Sequence, residues 1–217
     1  MHPLSNAITL SYALPLCTLL FASAADAAIT GTTGAFTQIA PPAAAVLGAL
    51  PANPAAYCWN EQSGVALSGL LVNTVGPGTF SGPNGPFAIS GLFDSHFIHV
   101  DPTANFGTPV GTISFSTNIL AVIYEGALLD LTDGTLGAFG TLYPTGDPLR
   151  SHSVVLNPSQ FTVTGNTIAL DLWAYGSAIY PNRMVQIRVI TEAIPAPGAV
   201  AVAALAGASG VGRRRRR

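Results

Sequence analysis

Between residues 29 and 194 the apolar positions recur every second residue in several places. That is the spacing at which an extended chain returns its side chains to one face. Val65, Leu67, Gly69 and Leu71 share one such face, and Ile113 and Phe115 alternate with the outward Thr112 and Ser114. Residues 119–124 are an unbroken apolar run, short enough for a buried strand. Phe161-Thr162-Val163-Thr164 and Thr167-Ile168-Ala169-Leu170 flank Gly165-Asn166, a pair suited to a two-residue hairpin turn with positive φ at its first position. Val185, Ile187 and Val189 alternate with Gln186 and Arg188.

The chain's 23 glycines and 17 prolines punctuate this segment too often for long helices. The pattern predicts roughly eight to ten short strands, hence an all-β fold: a single antiparallel β-sandwich, jelly-roll-like, over residues 28–194. A Pro/Ala-rich stretch from Pro41 to Ala56 reads as a loop or a short helix over residues 43–50. Gly76-Pro77-Gly78 and Gly82-Pro83-Asn84-Gly85-Pro86 read as an exposed loop. No repeat of solenoid or propeller period is present, so one domain is the simplest count.

The two ends follow a different pattern. Residues 7–24 form an apolar stretch, followed by Ala25-Asp26-Ala27, a small-x-small signal-peptidase site. Residues 1–27 therefore read as a signal peptide, with the signal helix cut after Ala27; Ala22-Ser23-Ala24 is a second site, and a permanent anchor is the competing reading. At the other end, Pro195-Ala196-Pro197-Gly198 precedes an apolar segment of residues 199–212 and the run Arg213, Arg214, Arg215, Arg216 and Arg217. From Pro197 to Gly212 a transmembrane helix would be about 24 Å long, slightly short of a hydrocarbon core. It is weakly apolar, and the arginines hold its end in the cytoplasm. Such a segment suits a temporary stop better than a permanent anchor.

Proline motif, short apolar helix and terminal arginine cluster, in that order, resemble the PEP-CTERM sorting signal of bacterial exported proteins. Pro195 and Pro197 match the two prolines of that motif, and Ala196 stands where its glutamate would be. The resemblance covers residues 194–217. It implies processing by exosortase, a membrane enzyme, and association with exopolysaccharide or biofilm material. An ordinary single-pass anchor and a basic tail for anionic partners are the competing readings.

Charge separates body from tail. Five of the eight Lys+Arg are the terminal arginines, and there is no lysine; the middle keeps three arginines against nine acids, a net of −6. Such a body would repel a phosphate backbone, which excludes nucleic acid as a partner. With Cys17 inside the signal, Cys58 stands alone, so no internal disulfide can form.

Candidate chemistry is sparse. Asp94-Ser95-His96-Phe97-Ile98-His99-Val100-Asp101 gathers two histidines and two aspartates, but strand geometry puts His96 and His99 on opposite faces, one packed and one exposed. Asp130 and Asp133 could lend carboxylates to Ca²⁺ but lack the ligand spacing of a hand-type loop. Cys58 would need His96, His99 or His152 nearby to act as a nucleophile. Tyr57, Trp59, Trp173 and Tyr175 could stack on sugar rings or fill the core, and Glu61 and Glu125 could be read as a glycosidase pair. Walker, G-x-S-x-G and C-x-x-C motifs are absent. The expectation is a cell-surface or extracellular-matrix protein without enzymatic activity, cofactor or metal. It would be inner-membrane tethered during sorting by an exosortase-like partner, then released to the surface. A carbohydrate-binding module and a secreted hydrolase are the alternatives.

Overall fold

The computed structural model describes residues 28–51, 56–82, 84–101, 109–148, 150, 160–172 and 184–194. The proposed signal with Ala25 and Ala27, the tail from Pro195 to Arg217, and His152, Trp173 and Tyr175 lie outside them.

The strands are β1 (Ile29–Thr32), β2 (Phe36–Gln38), β3 (Ala56–Asn60), β4 (Val65–Val72), β5 (Thr74–Val75), β6 (Gly78–Phe80), β7 (Phe87–Val100), β8 (Val110–Phe115) and β9 (Ile119–Ile123). One helix, α1 (Gly126–Leu136), follows, and then β10 (Gln160–Thr164), β11 (Thr167–Asp171) and β12 (Val185–Glu192). They form two packed sheets, the first in the order β1-β8-β11-β10-β6 and the second β2-β3-β7-β12-β9-β5, with β4 on β7. All pairings between these strands are antiparallel except β2 with β3, which run parallel. The purely antiparallel expectation is corrected there.

The hairpin is as the sequence predicts. β10 and β11 pair from Phe161↔Leu170 to Thr164↔Thr167, and Gly165 closes the turn at φ 58. Its hydrophobic face, with Ile113 and Phe115, meets Cys58, Ile98, Val122, Ile187 and Val189 of the second sheet in the main core. The run from Ile119 becomes the buried strand β9.

Around β12 and the second half of β7 the second sheet is covered on both faces, which alternation alone does not reveal. Its far side holds a second core of Tyr57, Trp59, Phe97, Ile123 and Ile190, roofed by Leu128, Leu129 and Leu136 of α1. β12 is consequently buried along seven of its eight residues. Gln186 and Arg188, the polar side of its alternation, point into the roofed layer rather than into water.

α1 corrects the expectation of strands alone. Leu128, Leu129, Thr132 and Leu136 fall on one face at helical spacing and are buried. The helix has no side-chain N-cap and no acidic first turn. Its docking to the sheet stabilises it, since short isolated helices are marginal in water. Residues 43–50 form bends and turns rather than a helix, with Ala44 bridged to Leu142.

β4 departs from the predicted face. Its register on β7 shifts between Leu67 and Leu70, where Gly69 at φ 72 accommodates a bulge. Beyond it the buried side chains are Leu70 and Val72, and Leu71 is exposed. Gly78, assigned to a loop by its neighbours, starts β6 against Val163. Among the described residues no helix is long and apolar enough to cross a membrane.

Candidate functional site

Four of the residues singled out for chemistry, Glu61, Asp130, Asp133 and His99, are linked under α1 through Arg188, Arg150 and Gln186. Arg188 of β12 projects away from the main core, between Phe97 and α1. Its Nε and Nη2 donate to both oxygens of Glu61, at 2.6 and 2.9 Å. Nη2 also reaches Asp133 at 3.1 Å, and Nη1 donates to the Thr132 hydroxyl and the Leu129 carbonyl. All five guanidinium hydrogens have partners, and the plane lies 5.0 Å from the Phe97 ring centre and 5.5 Å from that of Tyr143.

Glu61 follows the last residue of β3, and its side chain is fully buried. Besides Arg188 it accepts the Ser95 and Tyr143 hydroxyls, each at 2.6 Å. Burial pulls the pKa of Arg188 down. The charge and hydrogen bonds of Glu61, then the charge of Asp133, outweigh that and leave it above the ordinary value. Burial, and then the Glu61 charge, hold the Tyr143 phenol well above its usual range.

Asp133 joins this pair to a second guanidinium. Arg150 donates to both Asp133 oxygens, to Asp130 at 2.6 Å, and through Nε to Gln186 at 2.6 Å. Gln186 spends its amide hydrogens on the Ala45 carbonyl and on His99 Nδ1, at 2.7 and 2.9 Å. With Nδ1 accepting, a His99 proton is assigned to Nε2, 3.8 Å from Asp101, whose carboxylate takes the Gly48 N–H. Asp130 and Asp133, the carboxylates considered for Ca²⁺, thus answer to two arginines. Among the described residues no group of three or more His, Cys, Asp or Glu is arranged to hold a metal.

His96 and His99 do face opposite sides of β7, but both are buried. The expectation of one exposed histidine fails because the second sheet has no solvent face at this point. His96 stacks near Phe115 and bonds Asn60 Oδ1 at 2.8 Å and the Thr191 hydroxyl at 3.0 Å. Asn60 Oδ1 also accepts the Ile29 N–H, which marks it as the acceptor and assigns the proton to His96 Nδ1. Burial holds the His96 pKa down to about 3.

The remaining candidates separate. Cys58 is sealed between the sheets, where burial pushes its thiol up to about 12. Both ring nitrogens of His96 are already bonded, so no base activates that thiol there. Tyr57 and Trp59, offered as sugar platforms, are core residues under α1. Glu125 stands at the N-terminus of α1, its backbone N–H on Asn73, and among the described residues no contact joins it to Glu61. Arg150, Arg188, Gln186 and Tyr143 had no place among the sequence candidates. The available signal was that the body has only three arginines, one of which, Arg188, alternates with the apolar positions of a predicted strand.

No family model, no curated protein and no solved structure matches this chain.

Proposed function

We propose that the chain is an exported cell-surface or extracellular-matrix protein without enzymatic activity. Its body is a sandwich of jelly-roll-like type, carried by the signal of residues 1–27 and sorted by the tail of residues 195–217 through an exosortase-like enzyme. The observation that carries the reading of the body is the closure of its reactive groups. Glu61, Asp133, His96 and Cys58 are committed to buried bonds or packing, so the chemistry legible in the sequence stabilises the fold. The successive crossings of the chain between the two sheets, from β6 to β7, β7 to β8 and β8 to β9, support the topological description. The order of proline motif, apolar segment and arginine cluster supports the destination.

Expression in a bacterium carrying an exosortase tests this reading. Mass spectrometry should find a mature chain beginning at Ala28 and lacking Arg213 to Arg217, in the surface or extracellular fraction. Deletion of the five arginines should abolish that sorting. Recovery of the uncut chain from the cytosol would overturn it.

A further inference from the structure

The fold requires a glycine after Asn84 and leaves that asparagine in water. Gly85 has φ 80, and a Cβ there would meet the backbone oxygens of Val72 and Asn73 at 2.9 Å. A side chain is excluded, so Asn84-Gly85, the sole Asn-Gly pair of the sequence, is built in. The Gly85 N–H donates to Asn84 Oδ1 at 3.1 Å, which brings its nitrogen close to Cγ of the same carboxamide. Asn84 is exposed, but the backbone around it is fastened. Its carbonyl accepts the Asn73 amide at 3.2 Å, and the Tyr124 hydroxyl donates to the Gly82 carbonyl at 2.7 Å.

We propose that Asn84 is a self-modification site, where the Gly85 nitrogen attacks the side-chain carboxamide and converts the asparagine to aspartate or isoaspartate. As the Gly85 N–H proton is lost to solvent base, an N–Cγ bond forms. The Cγ–Nδ2 bond then breaks, and the nitrogen leaves as ammonia with a proton from water, giving a five-membered imide. One water opens the imide. Breaking the new N–Cγ bond restores the ordinary chain with aspartate; breaking the bond from nitrogen to the Asn84 carbonyl carbon gives isoaspartate, with the chain running through Cβ and Cγ.

Geometry sets Asn84 apart from the other asparagines of the described residues. The carboxamides of Asn60, Asn73 and Asn166 are engaged by distant backbone groups, those of Ile29, Tyr124 and Phe115 respectively. Asn118 is followed by Ile119, whose branched Cβ crowds the attacking nitrogen. The site is also coupled to the fold. The Asn84 carbonyl holds the fully buried Asn73, whose Oδ1 takes the N–H groups of Tyr124 and Glu125 where β9 gives way to α1. Isoaspartate lengthens the main chain by one methylene beside a glycine with no room toward Val72 and Asn73, so the modification loosens the seat of α1. Each event also adds a carboxylate to a body that is already acidic. The inference goes beyond the export reading and stands whatever the destination of the chain.

The full chain in mild detergent is incubated at pH 8 and at pH 6, and peptide mass spectrometry follows amide-to-acid conversion at every asparagine. Conversion at Asn84 should exceed that at any other asparagine by about ten-fold or more, because its reacting groups are already in place. It should run faster at pH 8, where the Gly85 nitrogen loses its proton more readily. A parallel incubation in urea tests whether the fold presents the site: the folded chain should convert about as fast as the unfolded one. Asn84→Gln, whose longer side chain disfavours the five-membered ring, should lose the conversion while keeping the circular dichroism of the parent. The aged chain, enriched by anion exchange, should unfold about 2–4 °C below the fresh one. Conversion at Asn84 no greater than elsewhere, a folded rate well below the unfolded rate, or an aged chain as stable as the fresh one overturns the proposal.

Discussion

Glu61 and Arg188, 127 residues apart in the chain, meet as a two-pronged ion pair in which both side chains are fully shielded from solvent. A buried pair of this kind contributes little over a well-packed apolar pair, but leaving one member alone is costly. Glu61→Ala should lower unfolding stability by about 3–5 kcal/mol. The double variant Glu61→Met/Arg188→Leu should recover a substantial part of that loss. Urea denaturation of the three proteins measures both; a single variant as stable as the parent would mean that the pair is not closed.

The buried His96 makes stability depend on pH in one direction. Its pKa is about 3 in the folded protein against 6.5 when unfolded, so below pH 6.5 the unfolded chain gains a proton that the fold refuses. Stability should fall as pH drops from 6.5 toward 3, with a slope approaching about 1.4 kcal/mol per unit from this one site. Above 6.5 the site contributes no slope. The difference between the parent and His96→Gln over pH 5 to 6.5 isolates the effect, and identical slopes would refute it.

Cys58 should ignore thiol reagents in the folded protein at pH 8 and react promptly once denatured, because the thiolate needs both a proton acceptor and access. Absorbance with an aromatic disulfide reagent reads both states. Fast labelling without denaturant would show the space between the sheets to be open.

The two leucines of α1 that differ most in burial give a matched comparison. Leu129 is 0% exposed and Leu131 is 70% exposed. Leu129→Ala should cost about 2–5 kcal/mol, and Leu131→Ala should stay within about 0.5 kcal/mol. Equal effects in thermal unfolding would mean that the helix is not seated on the second sheet as described.

The local elements were largely legible in the residues. Gly165-Asn166 announced its hairpin, and Ile113 and Phe115 their inward face, because turn chemistry and a two-residue period are read within a few positions. What eluded the sequence needed a third layer. Alternation in β12 looks the same whether Gln186 and Arg188 face water or a helix, and only the burial of both sides distinguishes a central sheet from an outer one. α1 was hidden by its own composition, with glycine at residue 134 and threonine at 132 and 135, all weak helix formers. Likewise Asp130 and Asp133 showed acidity but not their partners, since Arg150 and Arg188 arrive from distant positions.

β12 is bonded along both edges, to β7 and to β9, and ends at Glu192, two residues before Ile194, where the described chain stops. A pull applied at Ile194 in a single-molecule experiment would enter the body through this central strand, against two ladders and the bolt of Arg188, instead of peeling a marginal edge. Such a force acts on the part that is hardest to draw out.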